Sequence, residues 1–337
     1  MNKIIIIFAT TLLFACNTKQ KENNMIEQTN KIIIAHRGAS GYLPEHTLQS
    51  KAMAYAMNAD YLEQDLALSK DDVPIVIHDI HLETVTDVAE KYPEKAREDG
   101  KFYVIDFTFN ELKTLSVFER FNPQTGKAVF PNRFSLKKSS FKLHSLQDEI
   151  EMIQGLNKST GKNIGIYPEI KEPAFHRKEG KDISKIVIDI LNNYGYKTKN
   201  DKCFLQCFDF EETKRIRFEL KSNLKLIQLL EDDYTENDFE KISEYADGLG
   251  PWFGTIITGK NTKGELIITD FVEKAHNQQL LVHPYTFRAD AFPEYFTDFD
   301  ELLEAGLFKA DFDGIFTDFT DKAVKFLEKK HLRMQVK

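Results

Sequence analysis

Glu63 and Asp65 stand two apart in Tyr61-Leu62-Glu63-Gln64-Asp65-Leu66, and a strand places such residues on one face. Side by side in a low-dielectric interior, two ionised carboxylates repel, and one pKa rises unless a cation lies between them. A Glu-x-Asp pair alone is common on exposed sheet faces; a third carboxylate is what gives this pair weight. Glu169 supplies it near the end of Tyr167-Pro168-Glu169-Ile170-Lys171, a second strand-like run in which Glu169 and Lys171 share a face. Three carboxylates at strand ends make an all-oxygen site that suits Ca²⁺ or Mg²⁺ over zinc or copper. Lys171 has two compatible uses there, a salt bridge to Glu169 and contact with a bound anion.

Ile32-Ile33-Ile34-Ala35 runs directly into His36-Arg37-Gly38. Residues just past the C-terminal end of a barrel strand read as catalytic. His36 can exchange protons near neutrality, and Arg37 can hold a phosphate through two parallel hydrogen bonds. Gly38 permits a sharp turn or close backbone approach. The tripeptide alone is more often a loop than a site. His78 ends Pro74-Ile75-Val76-Ile77 and by itself reads as a hydrogen-bonded structural histidine. No HExxH, CxxC, GxSxG elbow or Walker loop is present, so zinc, serine-nucleophile and nucleotide chemistry lack support.

The elements that must position these residues alternate between short β-branched runs and longer helical patterns, as parallel α/β folds do. The runs are Ile32–Ala35, Tyr61–Leu68, Ile75–His78, Ile164–Ile170, Phe204–Phe208, Leu224–Leu229, Gly248–Trp252, Leu280–His283 and Gly314–Thr317. Ser69 to Pro74 is too short for a parallel crossover, so the second and third runs form a hairpin. Eight strands remain, and the expected fold is a (β/α)8 TIM barrel over residues 31–331. A turn centred on Asp71-Asp72 would set Asp65 opposite His78. Helices are expected from Thr47-Leu48 onward and over Leu146–Leu156, Ile183–Asn192, Glu211–Leu220, Glu236–Tyr245, Phe271–Asn277 and Asp321–Lys330. Residues 82–143 lose the alternation and read as an insertion over one barrel end. Cys203 and Cys207 lie in one strand-like run, roughly 13 Å apart along it, beyond disulfide reach; two buried thiols follow.

Residues 1–15 combine Lys3, a short apolar run and small residues before Cys16, the pattern of a secretory signal. Leu13-Phe14-Ala15-Cys16 resembles the lipobox of bacterial lipoproteins, which implies acylation of Cys16. Residues 16–30 then form a polar, aromatic-free tether. The expected location is the cell envelope, as a periplasmic or surface lipoprotein held to a membrane by its lipid. The net charge of −8 is built from interspersed signs, which leaves no basic footprint for nucleic acid.

His36-Arg37-Gly38-Ala39-Ser40-Gly41-Tyr42-Leu43-Pro44-Glu45-His46-Thr47, followed by Glu63-Gln64-Asp65, His78-Asp79 and Glu169-Ile170-Lys171, strongly resembles the glycerophosphodiester phosphodiesterase family, most of all its periplasmic bacterial type. The likeness continues through Gln206-Cys207-Phe208-Asp209, Val282-His283-Pro284-Tyr285 and Gly314-Ile315-Phe316-Thr317-Asp318. It implies that Glu63, Asp65 and Glu169 bind a divalent cation, Ca²⁺ before Mg²⁺. It further implies that His36 and His78 are an acid–base pair and that Arg37, Glu45 and Lys171 position the substrate. The implied reaction is hydrolysis of glycerophosphodiesters, such as glycerophosphocholine and glycerophosphoethanolamine, to sn-glycerol 3-phosphate and an alcohol. His46 departs from the asparagine frequent in relatives and reads as a loop or helix-cap residue. Phe208 and Trp252 read equally as pocket lining and as packing. Two alternatives stay open: a same-fold phosphodiesterase acting on intact phospholipids or sphingomyelin, and a surface lipoprotein that binds without catalysing.

Overall fold

The computed structural model describes residues 31–231 and 238–335. The expected leader, Cys16 and the tether lie outside the described residues, as do residues 236–237 of one expected helix. In chain order the strands are β1 Ile32–Ala35, β2 Tyr61–Leu68, β3 Pro74–Val76, β4 Gly165–Ile170, β5 Phe204–Cys207, β6 Lys225–Leu229, β7 Gly248–Gly250, β8 Ile257–Lys260, β9 Leu266–Ile268, β10 Leu281–Val282 and β11 Gly314–Thr317. Eight of them form one parallel sheet in the order β10-β7-β6-β5-β4-β2-β1-β11, with β3 antiparallel on β2. Between β10 and β11 the ring is stitched by Asp313, whose N–H donates to Val282 O at 3.0 Å and whose carboxylate accepts from Val282 N at 2.8 Å. This is the expected (β/α)8 barrel.

Ile34, Tyr61, Tyr167, Phe204, Ile227 and Phe316 point inward and fill the barrel's lower half, and two larger apolar shells lie between the sheet and its helices. The strands are buried on both faces, so they read as continuous apolar runs. Several helices begin where a side chain caps them. Thr47, Ser145, Asp182, Asp209 and Asp298 each accept a backbone N–H from the first turn, and Ser145 with Asp148 completes a reciprocal capping box. Among the described residues no helix is long and apolar enough to cross a membrane.

The β2–β3 hairpin forms in a different register from the one expected. Ser69 pairs with Val73 around a three-residue turn in which Asp72 takes φ 61°, the left-handed position such turns need. Asp65 therefore faces Ile77, whose N–H donates to its carbonyl at 2.8 Å, and not His78. The β8–β9 hairpin was unforeseen; it is short and only partly buried, which leaves little hydrophobic pattern to read. Residues 82–143 hold two four-residue helices, Val88–Lys91 and Phe109–Leu112. They bury a core of their own, including Leu82, Phe107, Leu115 and Val117, against Ile75 and Ile77. Cys203 and Cys207 are free and buried.

Candidate active site

The C-terminal ends of the strands open into a cavity of about 240 Å³ lined by His36, Arg37, Glu63, Asp65, His78, Glu169, Lys171, Phe208 and Trp252 among others. Glu45 stands behind Arg37, both of its oxygens 3.0–3.1 Å from Nη1. Trp252 is 49% exposed at the cavity rim, with its ring lying over Gly254 and beside Phe253. The Phe208 ring lies 5.6 Å from Lys171 Nζ. Period-two alternation places the acids: Glu63 and Asp65 face the cavity, whereas Gln64 faces outward and donates to Glu149 of the helix Leu146–Thr160 at 2.7 Å.

Glu63 Oε2 accepts the backbone N–H of Arg37 at 2.7 Å, an approach made possible by the left-handed Arg37 (φ 57°) and Gly38 (φ 89°). Asp65 Oδ2 lies 2.7 Å from His46 Nε2, and its Oδ1 is buried without a hydrogen-bond partner. Glu169 is the register partner of Asp65 across β2 and β4, and its Oε1 is 2.7 Å from Lys171 Nζ; the salt bridge is thus one of Lys171's two uses. Burial, then neighbouring Asp65, pushes the Glu63 carboxyl well above its usual range. Burial, with Lys171 opposing and Asp65 assisting, carries Glu169 up to about 8. Asp65 itself stays well below its usual range: burial opposes this, but His46 and Lys171 outweigh it. A carboxylate cluster so placed favours protons or a cation, and the orphaned Asp65 oxygen gives a cation a ligand. The residues fit a hard divalent ion.

Among the described residues, the three groups whose ligand atoms lie within 4.8 Å of one another are His46, Glu63 and Asp65. His46 is in the loop before the helix Leu48–Ala56, but Thr47 and not His46 caps that helix. Its imidazole instead holds Asp65 in place, a use the loop-or-cap reading missed because no local pattern links residues 46 and 65.

Both other histidines carry an aspartate. His36 Nδ1 is 2.5 Å from Asp318 Oδ1, and His78 Nδ1 is 2.5 Å from Asp79 Oδ1. Donation from Nδ1 to a carboxylate leaves Nε2 as the acceptor. Burial, then Arg37, lowers His36 to about 4; burial, then Arg37 and Lys171, lowers His78 to about 3. The rings are therefore neutral at pH 7. Glu45 lies well below its usual range, because Arg120 and Arg37 overcome the effect of burial. Asp318 could have been found from its place at the end of β11; Arg120 gives no signal, since residues 82–143 lack periodicity.

Known proteins match this arrangement along nearly the whole chain. The model of the glycerophosphoryl diester phosphodiesterase family matches residues 36–322. A glycerophosphodiester phosphodiesterase of Haemophilus influenzae is 45% identical over 96% of this chain and 97% of its own length. One from Treponema pallidum is 40% identical over 89% and 93%. In fold, the chain is similar to a glycerophosphodiester phosphodiesterase from Parabacteroides distasonis, with TM-score 0.60 and 18% identity over 90% of this chain and 99% of that one. It is also similar to an Oleispira antarctica phosphodiesterase in complex with the product sn-glycerol-3-phosphate, with TM-score 0.60 and 17% identity over 88% and 96%. Sequence match and barrel together establish that this chain belongs to the glycerophosphoryl diester phosphodiesterase family.

Proposed function

We propose that the chain hydrolyses glycerophosphodiesters such as glycerophosphocholine and glycerophosphoethanolamine to sn-glycerol 3-phosphate and an alcohol, using a divalent cation and two histidines. Family membership supports the phosphodiesterase activity, and the Oleispira antarctica relative with its bound product supports the direction of cleavage. The observation that carries the two-histidine reading is the pair of aspartate-oriented imidazoles, His36–Asp318 and His78–Asp79, lining one cavity with Arg37 and the carboxylates.

Glu63, Asp65 and Glu169 are the residues that would hold the cation, and their oxygen donors favour Ca²⁺, with Mg²⁺ second. Such an ion, when bound, neutralises phosphoryl charge and stabilises the charge that grows in the transition state. Arg37, braced by Glu45, and Lys171 supply further positive charge where the phosphodiester anion sits. One histidine accepts the proton of the nucleophile at Nε2, and the other, which takes up a proton from water as the anion binds, gives it from Nε2 to the departing alkoxide. Burial, then Arg37, depresses both rings, and Lys171 further depresses His78; an arriving anion offsets these cations and raises the proton affinity of both rings. Phe208 and Trp252 present aromatic faces to the glycerol or alcohol moiety.

The test is release of glycerol 3-phosphate from glycerophosphocholine by metal-stripped protein reloaded with Ca²⁺ or Mg²⁺. H36A and H78A each lower turnover by about 100-fold or more, and E63Q raises the metal concentration needed for half-activity. Wild-type turnover in either histidine variant, or full activity in chelator, would defeat the proposal.

A further inference from the structure

Asp79 and Asp318 divide their oxygens in the same way. Asp79 gives Oδ1 to His78 and accepts Nη1–H of Arg120 at Oδ2, 2.6 Å away, with Thr84 Oγ1–H on the same oxygen at 2.9 Å. Asp318 gives Oδ1 to His36 and accepts Arg133 Nη2–H at Oδ2, 2.7 Å away, with Arg288 Nε on the same oxygen at 2.9 Å. Arg120 and Arg133 both come from the segment 82–143, and neither lines the cavity. Both are themselves fixed. Arg120 forks onto Glu45 at 3.0 and 2.6 Å. Arg133 forks onto Asp290 at 2.8 and 3.0 Å and lies 3.7 Å over the Phe130 ring. Their side chains are 16% and 4% exposed, so little solvent competes for these bonds.

An aspartate bonded through one oxygen only can turn about its Cβ–Cγ bond and carry the imidazole with it. A guanidinium on the second oxygen removes that freedom and keeps the carboxylate ionised. We propose, resting on the two-histidine reading above, that the segment 82–143 belongs to the catalytic apparatus and supplies two positioning residues, Arg120 and Arg133, each holding the aspartate that orients one histidine. Arg120 has a second route to the site, through Glu45 to Arg37. The two routes differ in kinetics: loss of histidine orientation lowers kcat, whereas loss of Arg37 support weakens phosphate binding and raises KM.

The experiment is a set of double-mutant cycles on the metal-loaded full chain with glycerophosphocholine. R120K lowers kcat at least about 3-fold, with any rise in KM measuring its second route through Glu45, and R133K lowers kcat at least about 3-fold, because Thr84 and Arg288 remain on the respective oxygens. R120K/D79A has a kcat no lower than that of D79A, and R133K/D318A no lower than that of D318A, since the carboxylate that each arginine holds is gone; the bonds of Arg120 to Glu45 are read in KM. The crossed pairs, R120K/D318A and R133K/D79A, multiply. Multiplication in the matched pairs, or an R120K defect confined to KM, overturns the proposal. Undiminished turnover in H36A and H78A sinks the two-histidine reading instead, and the matched pairs do not bear on that outcome. Histidine ¹⁵N spectra give a readout independent of turnover and of any loss of stability. R120K shifts the His78 Nδ1 signal and R133K that of His36; unchanged ring signals in folded variants also overturn the proposal.

Discussion

Glu119 is 3% exposed, and its Oε2 has no hydrogen-bond partner. Burial, then nearby Glu45, raises its carboxyl to about 8, with Arg133 pulling the other way. In the unfolded chain the same group titrates near about 4.3. Below that pH both states hold the proton and the group has no effect on stability. As the pH rises, the unfolded state ionises first, so stability falls steadily until about pH 8. E119Q should therefore raise unfolding stability at pH 8 by up to about 5 kcal/mol and leave it nearly unchanged at pH 4; urea denaturation at both values checks this. The sequence made the cavity residues legible because Glu63, Asp65 and Glu169 sit within strands, where periodicity assigns a face, and His36 and Arg37 directly follow one. It hid His46, Glu119, Arg120 and Arg133, whose partners are distant in sequence and whose segments carry no period.

At the scale of elements, Gly38 decides whether β1 can hand His36 and Arg37 to the cavity. Its φ is 89°, and a Cβ there would lie 2.7 Å from Ser50 Oγ and 3.0 Å from the Ser50 carbonyl carbon. The loop and the helix Leu48–Ala56 are thus packed against each other at backbone distance. Gly38→Ala should cost about 2 kcal/mol or more, combining left-handed strain with overpacking, and should also lower turnover, because the backbone N–H that holds Glu63 belongs to Arg37. Denaturant midpoints and steady-state rates measure the two effects. The barrel strands and their helices were legible because apolar runs and caps mark them. The β2–β3 register was not, since Asp72 accepts a left-handed conformation that its residue type permits but does not announce.

For the whole molecule, the barrel separates stability from chemistry: an aromatic and aliphatic filling lies below, and the titratable groups lie above. Residues 82–143 add a third apolar body beside the mouth. The envelope location and lipid anchor remain proposals, and they make a prediction at this scale. When the full chain is expressed with its leader in a bacterium, the wild type should partition into a detergent phase. C16S should remain in the aqueous phase with its turnover on glycerophosphocholine unchanged.

β1 starts at Ile32 on the floor of the barrel, and the chain reaches the mouth only at His36. Because the eight barrel strands run in parallel, the point where residues 17–30 join the domain and the point where substrate enters are opposite poles. A protein moored through Cys16 would be attached by the pole away from its opening. Diesters already stripped of fatty acids would reach it by diffusion, whereas lipids still embedded in the bilayer would lie on the side of its attachment.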